Sequence, residues 1–176
     1  MDINVDKQNG MISWIINEVK YEKKYENLII AYLQEDNIYI KYLNNEHCEI
    51  NEYCDLSGKM IYAYNRVNGI VTTSSTKFSV ENLLSIKYTS AHNLFVAQVG
   101  RKRTDSLICI FDRMGQKLLA INAPYHYKFY SLVKRCGEVD VVCQGDESTA
   151  DLYGRNDWRF SIDYHTGILN RQALEY

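Results

Sequence analysis

Long apolar runs are missing from this sequence, and none approaches the roughly 18 residues that a membrane-spanning helix needs. The first ten residues, MDINVDKQNG, are acidic and polar, whereas a secretory signal would be basic and then apolar. These absences predict a cytoplasmic protein that has no membrane partner.

A strong charge imbalance is also missing. The chain has 20 Lys and Arg against 22 Asp and Glu, a formal net charge of -2, which does not favour nucleic acid as a partner. Its 5 cysteines form no CxxC pair, and they leave one over in any scheme of disulfides. This cysteine usage fits a reducing compartment.

Proline is almost absent, with 1 residue in 176, whereas tyrosine is abundant, with 15. Together with 46% hydrophobic residues, this composition is typical of a globular, β-rich protein. The length suits one core. We therefore expect an all-β fold in a single domain that spans residues 1–176.

Catalytic motifs are absent as well: the sequence has no GxSxG elbow, no phosphate-binding glycine loop and no HExxH. The segment Glu46-His47-Cys48-Glu49 joins three types of metal ligand, but adjacent strand residues point to opposite faces. We expect no enzyme activity, metal or cofactor. The alternative is a general base at His126 or His165, which lie in turn-like segments.

A repeated phrase is the most informative feature that is present. It reads GMISWIIN at residues 10–17, GKMIYAYN at 58–65 and GQKLLAIN at 115–122. An aspartate precedes each copy, and a fourth aspartate opens the segment DYHTG; the four, Asp6, Asp55, Asp112 and Asp163, lie 49, 57 and 51 residues apart. Asp accepts bonds from nearby backbone amides and Gly adopts positive φ, so each pair predicts a hairpin turn.

The sequence between these turns also repeats, because YENLIIAYLQEDNIYIKYL at 25–43 aligns with VENLLSIKYTSAHNLFVAQV at 80–99. Each full repeat offers four strands. A period near fifty residues with four strands is typical of propeller blades. We predict a β-propeller-like array of three four-stranded antiparallel repeats plus an N-terminal hairpin, at about residues 1–17, 26–65, 81–122 and 129–174.

Residues 11–26, MISWIINEVKYEKKYE, fit two structures. Ile12, Ile15, Ile16 and Val19 could form one face of an amphipathic helix. The match of residues 10–17 to two other copies of the phrase favours a strand.

The loops of a four-stranded meander sort to two ends, because successive strands alternate in direction. One end has tight turns only. The other has GRKRTDS at 100–106, GDESTADLYGRND at 145–157 and several connectors, and loops longer than a turn requires are often functional. Its charged, tyrosine-containing loops have the composition of protein-binding surfaces. The predicted partner-binding residues are Glu46, Arg101, Lys102, Arg103, Tyr125, His126, Tyr127, Asp146, Glu147, Asp151, Tyr153, Arg155 and Asp157.

The turns CDLSGKMIYAYN and FDRMGQKLLAIN resemble the hairpins of β-propeller repeat proteins. In size, in its β-rich sequence and in its lack of catalytic residues, the chain is also similar to immunity proteins of bacterial contact-dependent inhibition and polymorphic toxin systems. This resemblance implies a monomer that binds a cognate toxin, often a nuclease, and occludes its active site. The alternatives are a propeller-type hydrolase or lyase with a histidine site, or a scaffold or ligand sensor.

Overall fold

The computed structural model describes residues 2–175, and it contains β-strands, one 3-10 turn and no α-helix within that range. The all-β prediction is therefore confirmed. The strands form four antiparallel sheets, and strands adjacent in sequence are adjacent in each sheet. The chain divides after Ser79 into a first unit and a second unit. The single-domain prediction stays a prediction, and its two end residues, 1 and 176, lie outside the described residues.

The first unit contains a three-stranded sheet and a six-stranded sheet. The three-stranded sheet has the order β1 (Ile3–Asp6), β2 (Met11–Ile16), β3 (Val19–Lys24). The six-stranded sheet has the order β4 (Leu28–Gln34), β5 (Asn37–Leu43), β6 (Glu49–Cys54), β7 (Met60–Asn65), β8 (Ile70–Thr73), β9 (Lys77–Ser79).

The second unit contains two four-stranded sheets, as the repeats predict. The first of them comprises β10 (Leu83–Thr89), β11 (Leu94–Lys102), β12 (Asp105–Phe111) and β13 (Lys117–Ile121). The other comprises β14 (Tyr127–Arg135), β15 (Glu138–Gly145), β16 (Asp157–Ile162) and β17 (Leu169–Leu174), with the 3-10 turn at Glu147–Thr149 between β15 and β16.

The repeated aspartates form the turns that the sequence predicts. The Asp112 carboxylate accepts the backbone N–H groups of Met114 and Gln116, both at 2.8 Å, and Gly115 follows at φ +83°. The same capping recurs in the turns that open at Asp6, Asp55 and Asp163. The carboxylate replaces bonds that the chain loses where it reverses.

Met11–Ile16 and Val19–Lys24 are β-strands, so the strand interpretation is confirmed for Met11–Ile16. The predicted N-terminal hairpin is present as β1 and β2, but its sheet was predicted one strand too small, because β3 follows after a turn at Asn17 and Glu18. Both turn residues have positive φ, at 48° and 67°, which is the backbone of a tight two-residue hairpin. No glycine marks this turn.

The prediction of four strands for the repeat at 26–65 is also wrong, because β8 and β9 extend its sheet to Ser79. The Asn65 side chain caps the added turn by accepting the Val67 N–H at 2.8 Å. Val71 is fully buried in β8. Burial of this short apolar strand accounts for the extension.

The segment 100–106, predicted as a loop, is instead the tip of the β11–β12 hairpin. Gly100 pairs with Ser106, where a Cβ would collide with the Asp105 carbonyl oxygen. The Ser106 hydroxyl donates to the Arg103 carbonyl at 2.7 Å, which closes the tip. Arg101 and Lys102 are therefore strand residues.

Each unit has its own apolar core. In the first unit, the indole N–H of Trp14 donates to the Leu56 carbonyl at 2.8 Å, and the core side chains are Ile12, Trp14, Leu28, Ala31, Ile38, Ile40 and Cys54. In the second unit, both sheets contribute, and the core side chains include Val96, Ile108, Ile110, Phe129, Val141 and Phe160.

A buried carboxylate lies beside the first core. Glu52 accepts hydrogen bonds from Lys23 Nζ at 2.7 Å, from the Tyr25 hydroxyl at 2.8 Å and from Cys54 Sγ at 3.1 Å. Burial alone would favour the neutral acid, but these donors outweigh it and lower the pKa of Glu52 below 4.5. The charge is thus kept inside the fold by its partners.

Gly10 should tolerate alanine poorly. Its φ is +66°, and a Cβ there would collide with the Tyr25 carbonyl oxygen, whereas Gly154, at φ +77°, faces open space. We expect G154A to cost about 1 kcal/mol from backbone strain alone, and G10A to cost at least about 3 kcal/mol. Urea unfolding checks both variants; equal losses would contradict the structure.

Replacement of Glu52 by Gln should cost about 1–3 kcal/mol in unfolding free energy, because it leaves the partly buried Lys23 ammonium without an opposite charge. The matched control is E49Q, since Glu49 pairs with Lys41 at the surface and should contribute under about 0.5 kcal/mol.

The pH dependence of this pair has a defined sign. Because the folded pKa of Glu52 is lowered, its stabilisation is present above pH 4.5 and is lost as the pH falls through the folded pKa. The unfolding free energies of wild type and E52Q, measured with denaturant, should therefore become equal in acid. A difference in unfolding free energy that is as large in acid as at neutral pH would contradict the lowered pKa of Glu52.

Candidate functional site

Two loops of the second unit meet where β14 begins and β15 ends. The Asp146 N–H donates to the His126 carbonyl at 3.0 Å, and the Gly145 N–H donates to the Asn156 carbonyl at 2.8 Å. We call the surface formed by residues 122–126 and 146–156 the loop end. It contains Tyr125, His126, Asp146, Glu147, Asp151, Tyr153 and Arg155, seven of the predicted site residues.

The longer loop is held by two carboxylates. Asp146 caps the 3-10 turn, accepting the Ser148 N–H at 2.9 Å and the Ser148 hydroxyl at 2.6 Å. Asp151 caps the next turn, accepting the N–H groups of Tyr153 and Arg155, each at 2.9 Å. A loop fixed this way loses little conformational entropy when it binds.

His126 and Asp146 join the two loops through their side chains, with His126 Nδ1 at 2.6 Å from Asp146 Oδ2. The hydroxyl of Ser148 and then the imidazole of His126 lower the pKa of the Asp146 carboxyl below 3.8. The ring of Tyr125 packs edge-on against His126, with centroids 3.9 Å apart.

Three large side chains project from the loop end. Tyr125 is 86% exposed, Leu152 is 100% exposed and Tyr153 is 81% exposed. The guanidinium of Arg155 lies 5.0 Å from the centre of the Tyr153 ring and donates from Nε to Asp151 at 2.7 Å. Exposed aromatic and aliphatic groups on a fixed backbone are suited to anchor a protein partner.

The basic hairpin tip of Arg101, Lys102 and Arg103 lies beside the first strand of the fourth sheet. Arg103 is 5.8 Å from the ring centre of Tyr130 on β14, and Gln98 Nε2 donates to the Phe129 carbonyl at 3.4 Å. All three basic residues are exposed. The hairpin therefore supplies positive charge on the second unit.

Three predicted site residues lie elsewhere. Tyr127 is partly buried in β14, where its ring packs edge-on against Phe160, and Asp157 opens β16 opposite Gln144. These two have roles in the sheet. Glu46 belongs to the first unit, where its N–H donates to the Asn44 side chain in a turn at 3.0 Å.

The other titratable groups form no recognisable reaction centre in the part of the chain that the structure describes. No group of three His, Cys, Asp or Glu side chains could hold a metal ion there. The hydroxyl of Ser148 donates to Asp146 and not to His126, so it is not activated by the imidazole. His165 occupies the Asp163 turn and is exposed.

Leu152 of the loop end and Tyr130, beside the basic hairpin tip, were absent from the prediction. Leu152 follows a turn-forming aspartate in a polar loop. A single large apolar residue in such a loop indicates an exposed side chain, so the sequence could have identified it. Tyr130 sits mid-strand and is 45% exposed, which the sequence pattern of β14 does not indicate.

Comparisons with protein-family models, with curated proteins and with solved structures found no match for this chain. Residues 2–175 include no helix of the length and apolarity needed to cross a bilayer. The site must therefore be interpreted from its own geometry.

The Asp146 carboxyl should titrate below 3.8, and S148A should move its midpoint back toward that ordinary value, because Ser148 supplies the largest stabilisation of the ionised form. Any stabilisation from this carboxylate is present above pH 3.8 and is lost as the pH falls through its folded pKa. Carbon-detected NMR titration measures the midpoint. Asp163, capped by other groups, is the internal control and should not move; equal movement of both would contradict a local effect.

Proposed function

We propose that this chain is a non-catalytic protein-binding module and that the loop end is its docking surface. The observation that carries the proposal is the exposure of Tyr125, Leu152 and Tyr153 on loops fixed by Asp146 and Asp151. Such side chains bury large area in a complex, and their backbone needs little reordering.

The partner that we propose is a cognate bacterial toxin domain, with this chain as the immunity protein that occludes its active site. The support is the resemblance in size, all-β composition and absence of catalytic motifs, together with a rigid surface of mixed charge. A monomer before binding and a cytoplasmic location belong to the same proposal. The propeller-like array stays a prediction, supported by the repeated Asp–Gly turn.

A nuclease fits the charges of the loop end. Asp151 is paired internally with Arg155, whereas Glu147 is exposed and makes no ion pair among residues 2–175. A free carboxylate beside aromatic anchors can occupy the position of a substrate phosphate in a basic active site. Charge of this kind speeds association, and the buried anchors slow dissociation.

One observation favours a different function. The 2.6 Å contact between His126 Nδ1 and Asp146 is the orientation in which a carboxylate positions a histidine general base. A hydrolase or lyase using His126 would lose turnover in H126N while keeping its fold. A protein-binding module would have no turnover to lose.

Tyr153 and Leu152 should be binding anchors. The product of the gene immediately upstream, prepared as an inactivated toxin domain, is the proposed partner for calorimetry. We expect Y153A and L152A each to raise Kd by about tenfold or more, equivalent to about 1.4 kcal/mol, as hot-spot truncations do.

The matched control is L118A, since Leu118 is a partly exposed leucine on β13, outside the loop end. Its Kd should stay within about twofold of wild type. Equal Kd values for all variants would rule out the loop end as the docking surface. Absence of binding by the folded wild-type protein would refute this partner.

A further inference from the structure

The first unit contains an open cleft of about 690 Å³ on its six-stranded sheet. Its floor includes Ile50, Ala63 and Thr72, which lie on β6, β7 and β8. The cleft exists because a sheet of three strands faces a sheet of six. The smaller sheet packs on Ile38 and Ile40, and the far strands of the larger sheet extend beyond that packing.

One wall of the cleft is the segment that joins β3 to β4, and it is anchored from below. Tyr25 packs on Tyr42, with ring centroids 4.8 Å apart, and its hydroxyl donates to Glu52 at 2.8 Å. Lys23 reaches the same carboxylate at 2.7 Å. This wall is therefore built into the fold by a buried ion pair.

The lining is rich in neutral hydrogen-bonding groups. The rings of Tyr25 and Tyr42 line it, and the hydroxyls of both bond to the Glu52 carboxylate, while burial raises the pKa of Tyr42 to about 12. Three further lining residues cap turns through their amide oxygens, which leaves their NH2 groups to donate to a ligand: Asn44, Asn65 and Asn68.

The charges around the cleft balance. Two lysines, Lys24 and Lys77, and two glutamates, Glu26 and Glu46, are part of the lining. A site for an anion or a cation would carry an excess of the opposite sign. Balanced charge with aromatic rings and amides favours a ligand that has no net charge and many hydroxyl groups.

We propose that this cleft binds a short neutral oligosaccharide. The rings of Tyr25 and Tyr42 supply apolar surface for the C–H faces of sugar rings, and the asparagine amides match sugar hydroxyls. The volume lies within the range of ligand pockets. Glu46 is then a residue of this cleft, and the proposal is independent of protein binding at the loop end.

The test is calorimetry of the full chain with three neutral trisaccharides, maltotriose, cellotriose and chitotriose, and with trigalacturonic acid as the charged control. We expect at least one neutral trisaccharide to bind and the acidic one to bind at least about tenfold more weakly. Maltohexaose, cellohexaose and chitohexaose distinguish the source of the sugar. Higher affinity for a hexasaccharide than for its trisaccharide indicates a polysaccharide chain, and equal affinity indicates a free oligosaccharide.

Two variants connect the binding to this cleft. T72A removes one hydroxyl from the cleft floor and N45A removes one amide from its lining, and each should weaken binding of the best trisaccharide by about three- to tenfold. The matched control is T104A, which removes a hydroxyl from the exposed tip of the β11–β12 hairpin in the second unit and should leave Kd unchanged. Absence of heat with every neutral trisaccharide would overturn the proposal, as would binding that both cleft variants retain in full while still folded.

Discussion

Reversal of the chain at a carboxylate-capped turn is the constraint on which the sheets depend. Each antiparallel strand pair must return within a few residues, and backbone groups at the bend must find partners. Asp112 satisfies two amides while Gly115 adopts the positive φ that completes the bend. Since the device is local, it can be copied along the chain without regard to what each sheet packs against.

The same device also shapes the loop end. Asp146 and Asp151 perform in the loop end the task that Asp55 and Asp112 perform in the sheet turns, because each carboxylate accepts amides from the residues just ahead. The backbone of the loop is thereby fixed, and its apolar side chains cannot fold inward. Exposure of Leu152 and Tyr153 follows from this geometry.

Local features were predictable from the sequence, and features that depend on distant partners were not. The turns at Asp55 and Asp112 could be predicted because all their bonding groups lie within five residues. The turn at Asn17 and Glu18 has no glycine, and β8 is short, so both depend on packing that the pattern does not display. The cleft depends on a mismatch between the strand counts of two sheets, and both counts were predicted too low.

The predicted site divides in the same way. Tyr125, Tyr153 and Arg155 share the loop end because their segments flank the paired ends of β14 and β15. Tyr127 and Asp157 are adjacent to those segments in sequence, but they enter strands, where side chains alternate between faces. Glu46 belongs to the other unit and lines its cleft.

The internal bonds of the loop end also limit what its acids can do for a partner. Asp146 is hydrogen-bonded to Ser148 and His126, and Asp151 is hydrogen-bonded to Arg155. Neither carboxylate can turn toward a basic surface without breaking bonds that hold the loop. The Glu147 carboxylate makes no such ion pair among residues 2–175. In the docking function that we propose, charge therefore guides association mainly through Glu147 and the Arg101–Arg103 tip, while affinity depends on the exposed side chains of Tyr125, Leu152 and Tyr153.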